Sequence, residues 1–187
     1  MMGPLTIDLS TVRRPAPEQR PYRVFFSSAT ECDWAREHCL RLVEVANGFL
    51  PDRFQIKVVR WEDDPPQQVH GESLQERYVR AALSCHAAVV LLQHELRPGT
   101  RAEVDALLEL PTTSRELLTV VFEPEAGGSR SADVDDLLGR LRDAEVRYDP
   151  TGNQATAEAY LSLTRVTLQL MELTQRPAAA GGTYDRY

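Results

Sequence analysis

The chain has 187 residues, of which 42% are hydrophobic and 26% are charged. This length predicts one domain with flanking arms and is sufficient to bury a full core. The formal net charge of −7 argues against nucleic-acid binding, because that needs clustered lysine and arginine to displace counterions.

No apolar run approaches the roughly 20 residues of a membrane span, so no membrane association is expected. The N-terminus shows no secretory leader pattern, and the cysteines have no paired spacing, so a cytoplasmic protein with reduced thiols is expected.

Both ends of the chain differ in composition from its middle. Residues 1–21 mix proline, arginine and polar residues without periodicity, which predicts a flexible N-terminal arm. Residues 176–187 are similarly irregular and predict a disordered C-terminal tail. The folded domain is therefore expected to occupy residues 22–175.

The first half of this domain alternates strand and helix signals. Residues 22–27 form a β-rich run, and a helix that Thr30 can cap follows and ends near Gly48. A second strand is predicted over 54–61. An acidic loop with a diproline comes next, and it begins Glu62, Asp63, Asp64, Pro65, Pro66. The pair Ser73 and Glu76 has the spacing of a capping box, which predicts a helix from there to about Ser84.

The second half continues the same alternation. The most continuous apolar strand is Ala87–Leu92, as expected for a strand covered on both faces. A helix that contains Glu103 follows, and the next strand is predicted at Leu117–Phe122. Further elements are a helix over about 131–142, a short strand at 146–148 and a final helix over about 156–175.

Five strands that alternate with five helices predict an α/β fold with a mostly parallel sheet and helices on both faces. For a sheet of this size we expect a three-layer, flavodoxin-like domain with strand order 2-1-3-4-5. In that order the connections reverse direction between strands 1 and 3. Ligands of open α/β sheets bind beside such a reversal, so residues 27–30 and 93–103 are the predicted site.

Signatures of the common phosphate-binding loops are missing from the sequence. No G-x-G-x-x-G follows the first strand, and no G-x-x-x-x-G-K-[ST] occurs. A phosphate can still bind the free N–H groups of the helix that begins near residues 28–30. The four histidines and three cysteines lack the spacing of a zinc site, so no metal is expected.

Glu103 has two interpretations. Thr100 and Glu103 match a capping box, in which the glutamate would bind the backbone at the start of its own helix. Glu103 also lies in the predicted ligand crevice, where a carboxylate can stabilise the positive charge that develops when an N-glycosidic bond to a cationic leaving group breaks. The sequence leaves this choice open.

Three segments together resemble bacterial TIR-like (Toll/interleukin-1 receptor-like) domains: RVFFSSATECDWAREH, VVRWEDDPP and AAVVLLQHELRPGTRAEVDALLE. The resemblance spans roughly residues 22–173. It implies a flavodoxin-like sheet, self-assembly and hydrolysis of NAD+ in bacterial immunity or cell-death signalling. NAD+ or a related nucleotide would be the substrate, and no separate cofactor is expected.

The resemblance also assigns roles to particular residues. Glu103 would be the catalytic glutamate, and the nucleotide pocket would be lined by Ser27, Ser28, Trp61 and Gln93. The loop after the second strand, which contains Glu62, Asp63, Asp64, Pro65 and Pro66, would gate the site and contact another copy or a partner protein.

Two alternatives remain at the sequence level. Many catalytic members of the family carry a serine or cysteine and a tryptophan shortly before the glutamate, whereas this chain has Gln93 and no nearby tryptophan. That departure favours a non-catalytic scaffold that senses a nucleotide or joins partner proteins. A weaker alternative is a nucleoside deoxyribosyltransferase-like enzyme, for which Asp33 or Asp63 would supply the second acidic group.

Overall fold

The computed structural model describes residues 12, 14–16, 19–60, 73–124, 128–152 and 156–176. Five strands alternate with five helices along these ranges. In chain order they are β1 (Tyr22–Ser28), α1 (Asp33–Phe49), β2 (Ile56–Val59), α2 (Leu74–Leu83), β3 (Ala87–Leu92), α3 (Pro98–Leu108), β4 (Leu117–Phe122), α4 (Ala132–Asp143), β5 (Tyr148–Thr151) and α5 (Ala157–Gln175). Short 3₁₀ turns occupy Thr30–Cys32, Asp52–Phe54 and Thr112–Ser114.

The strands form one parallel sheet in the order β2-β1-β3-β4-β5. This confirms the predicted flavodoxin-like architecture and its strand order. In the register between the two central strands, Ser27 lies beside Val90 and Ser28 beside Leu91. The connections reverse direction between β1 and β3, so the structure places the expected crevice at the carboxyl ends of these strands.

Two apolar cores cover the two faces of the sheet. Alternate residues of β3 point to opposite sides: Val89 packs with α1 and α5, whereas Val90 packs with α2, α3 and α4. Both valines are fully buried. Burial of each such side chain contributes roughly 1.5–3 kcal/mol. A strand that is apolar on both faces requires helices on both sides, which is why the sequence predicts three layers.

Helix starts are set by local capping at three of the predicted positions. Ser73 and Glu76 form the predicted capping box, with the Ser73 N–H donating to Glu76 Oε2 at 2.6 Å and the Glu76 N–H donating to Ser73 Oγ at 3.2 Å. Ser131 and Thr156 cap α4 and α5 in the same way, through their hydroxyls. The predicted cap at Thr30 is wrong, because a 3₁₀ turn starts there and Cys32 precedes α1.

The last strand lies later in the chain than 146–148. After α4 the backbone turns through Glu145, which has a positive φ of 57°, and the Val146 N–H then donates to the Leu141 carbonyl at 2.8 Å. These residues therefore close the end of the helix. Pairing with β4 begins only at Tyr148, and Pro150 is tolerated because β5 is an edge strand.

Several residues of the predicted N-terminal arm contact the amino-terminal edge of the sheet. Arg14 donates to the carbonyls of Cys85 and His86 at 3.0 and 3.1 Å, and Arg20 donates to the carbonyl of Thr174 at 2.8 Å. The boundaries of the arm and the tail stay predictions, and residues 177–187 lie outside the described part. Among the described helices, none is both long and apolar enough to cross a bilayer.

Candidate functional site

A cavity of about 770 Å³ opens where the chain leaves β1 and where α3 begins. Its walls come from the end of β1, the 3₁₀ turn that follows, and the first turns of α1, α2 and α3. The lining residues are Phe26, Ser27, Ser28, Ala29, Thr30, Asp33, Arg36, Gln75, Tyr78, Arg97, Gly99, Thr100 and Glu103. The strand order therefore predicts the position of this cavity correctly.

Glu103 lies at the buried end of the cavity and not at its own helix start. The residue is 8% exposed, and Ser27 Oγ donates a hydrogen bond to Glu103 Oε2 over 2.5 Å. The predicted capping box with Thr100 is wrong: α3 begins at Pro98, and its N-cap residue Arg97 makes no side-chain capping bond. Proline is favoured at the first helical position. The helix therefore starts at Pro98, two residues before Thr100, and Thr100 lies inside it.

Burial changes the acidity of Glu103. Desolvation raises the pKa of its carboxyl group from 4.5 to about 7, and the hydrogen bond from Ser27 opposes this rise. Within the described part of the chain, Glu103 forms no ion pair. A carboxyl group in these surroundings exchanges its proton near neutral pH.

Two arginines also line the cavity. Arg36 is 7% exposed, and its Nη2 donates to Asp33 Oδ1 at 2.7 Å while its Nη1 donates to Ser28 Oγ at 3.3 Å. Arg97 is more exposed and forms ion pairs with Glu31 and Glu95 at 3.6 and 3.2 Å. Asp33, the first residue of α1, also lines the cavity, and helix N-termini favour anions.

The third wall joins α2 to α3. Gln75 Nε2 donates to the Gly99 carbonyl at 3.2 Å, and a Cβ at Gly99 would approach Gln75 Oε1 to 3.1 Å. Glycine therefore allows α2 and α3 to approach closely here. Tyr78 adds an aromatic ring to the lining.

The structure brings together some of the predicted site residues and not others. Ser27, Ser28 and Glu103 all line the cavity. Gln93 is buried at the end of β3 but is not part of this lining. The remaining candidates lie outside the described residues: Trp61, Glu62, Asp63, Asp64, Pro65 and Pro66.

Sequence reasoning missed several residues of the cavity. Arg36 follows Asp33 by one helical turn, so the pair could have been recognised as an i, i+3 ion pair beside the β1 exit. Tyr78 and Gln75 lie on α2, which is not adjacent in sequence to either crevice segment. Only the packing of α2 against α3 brings them to the site.

The described residues contain no group of three histidine, cysteine or acidic side chains positioned to hold a metal ion. Cys32, Cys39 and Cys85 are free and buried. Burial raises the pKa of all three thiols to values of about 11 or 12. These thiols are therefore protonated and unreactive at neutral pH.

The strand order and the three layers define the flavodoxin-like class of α/β domains. Among solved structures, the chain is similar to a flavodoxin from Streptococcus pneumoniae TIGR4 (TM-score 0.50, 12% identity, 80% of this chain and 97% of that one). It is also similar to the rubredoxin oxygen:oxidoreductase of Desulfovibrio gigas (TM-score 0.50, 12% identity, 84% of this chain). Flavodoxin 1 of Bacillus cereus is a further match (TM-score 0.49, 10% identity, 80% of this chain and 97% of that one).

The chain spans 37% of the length of the oxidoreductase. No protein-family model matches the sequence, and no curated protein does. At these identities the likeness to the solved structures establishes the fold.

These comparisons contradict the function predicted from the TIR-like resemblance. The matching structures are a flavodoxin and a rubredoxin oxygen:oxidoreductase, so the predicted NAD+ hydrolase in bacterial immunity is wrong, as is the expectation of a site without a cofactor. The prediction failed for a physical reason. The three segments that resemble TIR-like domains have the residue pattern of a buried strand, a polar turn and a helix start. Every domain with this strand order needs those features, whatever its reaction. The TIR-like resemblance itself stays a prediction.

Proposed function

We propose that this domain binds flavin mononucleotide, a flat ring joined through a hydroxylated chain to a phosphate, in the cavity between β1, α1 and α3. The observation that carries this proposal is the composition of that one cavity, whose lining combines two arginines with a buried carboxyl–hydroxyl pair. In sheets with this strand order, flavodoxins hold flavin mononucleotide where the connections reverse direction, between β1 and β3.

The phosphate end of such a ligand fits the wall formed by α1. Arg36 supplies a buried guanidinium group, and Ser28 at the end of β1 and Thr30 in the following turn supply hydroxyls. Asp33 holds Arg36 in place through its 2.7 Å ion pair, so the guanidinium group is oriented before a ligand arrives.

The remainder of the ligand fits the other two walls. Tyr78 offers an aromatic surface for a flat ring. Ser27 and Glu103 form a polar pair at the buried end, which can bind hydroxyl groups or ring nitrogens. A bound flavin supplies one- and two-electron redox chemistry. The part of this chain in that chemistry is to hold the ligand, to exclude water, and to keep or release a proton on Glu103.

A titration with flavin mononucleotide tests the proposal. Quenching of flavin fluorescence on addition of the protein would show binding, and competition with riboflavin, AMP and inorganic phosphate would identify which part of the ligand is recognised. We expect riboflavin to bind much more weakly, because it lacks the phosphate. Binding of AMP without binding of flavin mononucleotide would overturn the flavin assignment, and binding of neither would overturn the proposal.

The Arg36→Gln variant tests the phosphate wall. A hydrogen bond to a charged group contributes roughly 1.5–3 kcal/mol, so the dissociation constant for flavin mononucleotide should rise about tenfold to hundredfold. Arg41→Gln is the matched control, since Arg41 is exposed on the same helix. Equal affinities in both variants, with both folded by circular dichroism, would show that Arg36 does not hold the phosphate.

A further inference from the structure

Glu103 is a buried carboxyl group in a cavity whose lining also contains Arg36 and Arg97. Within the described residues, the hydrogen-bond partner of its side chain is the Ser27 hydroxyl, 2.5 Å away. Ser27 is itself buried, at 1% exposure. A carboxylate in this position therefore has one neutral donor and little solvent to stabilise its charge.

The charged groups around the cavity do not neutralise Glu103. From α1, Arg36 faces the cavity but donates to Asp33 and Ser28. From the segment before α3, Arg97 pairs with Glu31 and Glu95. From α2, Tyr78 is the titratable side chain of the lining. Burial raises the pKa of Glu103, and the hydrogen bond from Ser27 lowers it.

We propose that binding of a phosphorylated ligand in this cavity is coupled to uptake of a proton by Glu103. The inference rests on the proposed function and specifies how the site is regulated. A ligand that carries a phosphate brings negative charge into the cavity and displaces water from it, and both effects disfavour a second negative charge. The neutral carboxylic acid can also donate a hydrogen bond to the ligand, which the carboxylate cannot do.

Thermodynamic linkage between ligand binding and protonation of Glu103 determines how the affinity changes with pH. If the ligand prefers protonated Glu103, affinity is highest when the group is already protonated and falls as pH rises above about 7. Full coupling to one proton would raise the dissociation constant about tenfold per pH unit above that value. The phosphate of the ligand titrates near pH 6, so measurements between pH 7 and 8.5 keep its charge nearly constant.

Isothermal titration calorimetry with flavin mononucleotide measures the coupling directly. Titrations at pH 8 in two buffers of different ionisation enthalpy give the number of protons taken up on binding. Free Glu103 is roughly nine-tenths ionised at that pH. We expect wild-type protein to take up at least about half a proton more than the Glu103→Gln variant. Glu109→Gln, an exposed change directly after the same helix, should behave as wild type.

A second readout separates this coupling from a general loss of binding. The ¹³C resonance of the Glu103 carboxyl group, followed from pH 5 to 9 with and without flavin mononucleotide, should show an upward shift of its midpoint when ligand is present. Binding with equal proton uptake in wild type and Glu103→Gln, or an unchanged carboxyl midpoint, would overturn the coupling alone. Absence of any binding heat in wild type would overturn the coupling together with the proposed function.

Discussion

At the scale of single residues, Glu103 shows how tertiary contacts decide between two local interpretations. Ser73-x-x-Glu76 and Thr100-x-x-Glu103 have the same spacing, yet only the first forms a capping box. Pro98 accounts for the difference, because it starts α3 two residues before Thr100. Glu103 is then far enough into the helix to reach Ser27 of β1, a residue 76 positions away.

The burial of Glu103 predicts a dependence of stability on pH. Its pKa is raised to about 7 in the folded protein from an unfolded value near 4.3. Between these values the folded state binds more protons than the unfolded state, so the free energy of unfolding falls as pH rises. The full effect above pH 7 is of the order of 3 kcal/mol.

Urea denaturation of wild type and Glu103→Gln checks this prediction. The variant cannot ionise, so it should be more stable than wild type at pH 8 and close to it at pH 5. Glu109→Gln should reproduce the wild-type dependence, because Glu109 is exposed and directly follows the same helix. A Glu103→Gln variant that loses the same stability as wild type between these pH values would contradict the buried, neutral carboxyl group.

At the scale of elements, α1 protects the outer edge of the sheet. Asn47 donates from Nδ2 to the Ile56 carbonyl at 2.9 Å and accepts from the Ile56 N–H on Oδ1 at 2.8 Å. The side-chain amide thus replaces a neighbouring strand at β2, which is an edge strand. Exposed strand edges promote association between chains, so this contact limits the edge available for pairing.

Asn47→Ala should therefore destabilise the protein and expose the edge of β2. Loss of both hydrogen bonds leaves the peptide groups of Ile56 to water or to another chain, at an expected cost of about 1–3 kcal/mol. Urea denaturation would measure the loss, and light scattering at increasing concentration would report association. Glu44→Ala, an exposed change on the same helix, is the control. Equal stability of the two variants would mean that Asn47 does not support the edge.

Sequence reasoning reached the strand order because β3 is apolar on both faces and the capping residues of α2, α4 and α5 are local signals. It missed the contacts and cavity residues that depend on tertiary packing. Asn47 directly precedes Gly48, near which the helix was predicted to end, but its bond to Ile56 needs the strand beside it. Arg36 and Tyr78 enter the cavity only once α1 and α2 are docked on the sheet. The predicted reaction was wrong because motifs of strand and turn residues describe the fold.

At the scale of the whole molecule, buried titratable groups lie near opposite edges of the sheet. Glu103 lies in the crevice at the carboxyl edge. His86 directly precedes β3, at the amino edge, where it stacks on Tyr22. Its Nδ1 accepts the Arg23 N–H at 2.9 Å, so Nε2 carries the proton and donates to the Ala16 carbonyl at 3.2 Å. Both ring nitrogens are therefore engaged in the neutral form.

These groups should give a stability maximum at intermediate pH. Burial lowers the pKa of His86 below 6.5, with Arg14 and Arg20 adding to the effect, so its neutral form supports the fold above pH 6.5 and this support is lost as pH falls through the folded pKa. Protonation would also prevent Nδ1 from accepting the Arg23 N–H. Glu103 acts in the opposite direction at higher pH.

Denaturation midpoints measured from pH 4 to 9 would reveal both limbs of this profile. His86→Asn keeps an acceptor for the Arg23 N–H but cannot titrate in this range, so it should flatten the acidic limb and leave the alkaline limb intact. Glu103→Gln should do the reverse, and the two effects should add because the sites share no partner. His94→Asn is the control for histidine removal at a partly exposed position. A wild-type profile in which stability rises continuously from pH 4 to 9 would contradict the assignment of the alkaline limb to Glu103.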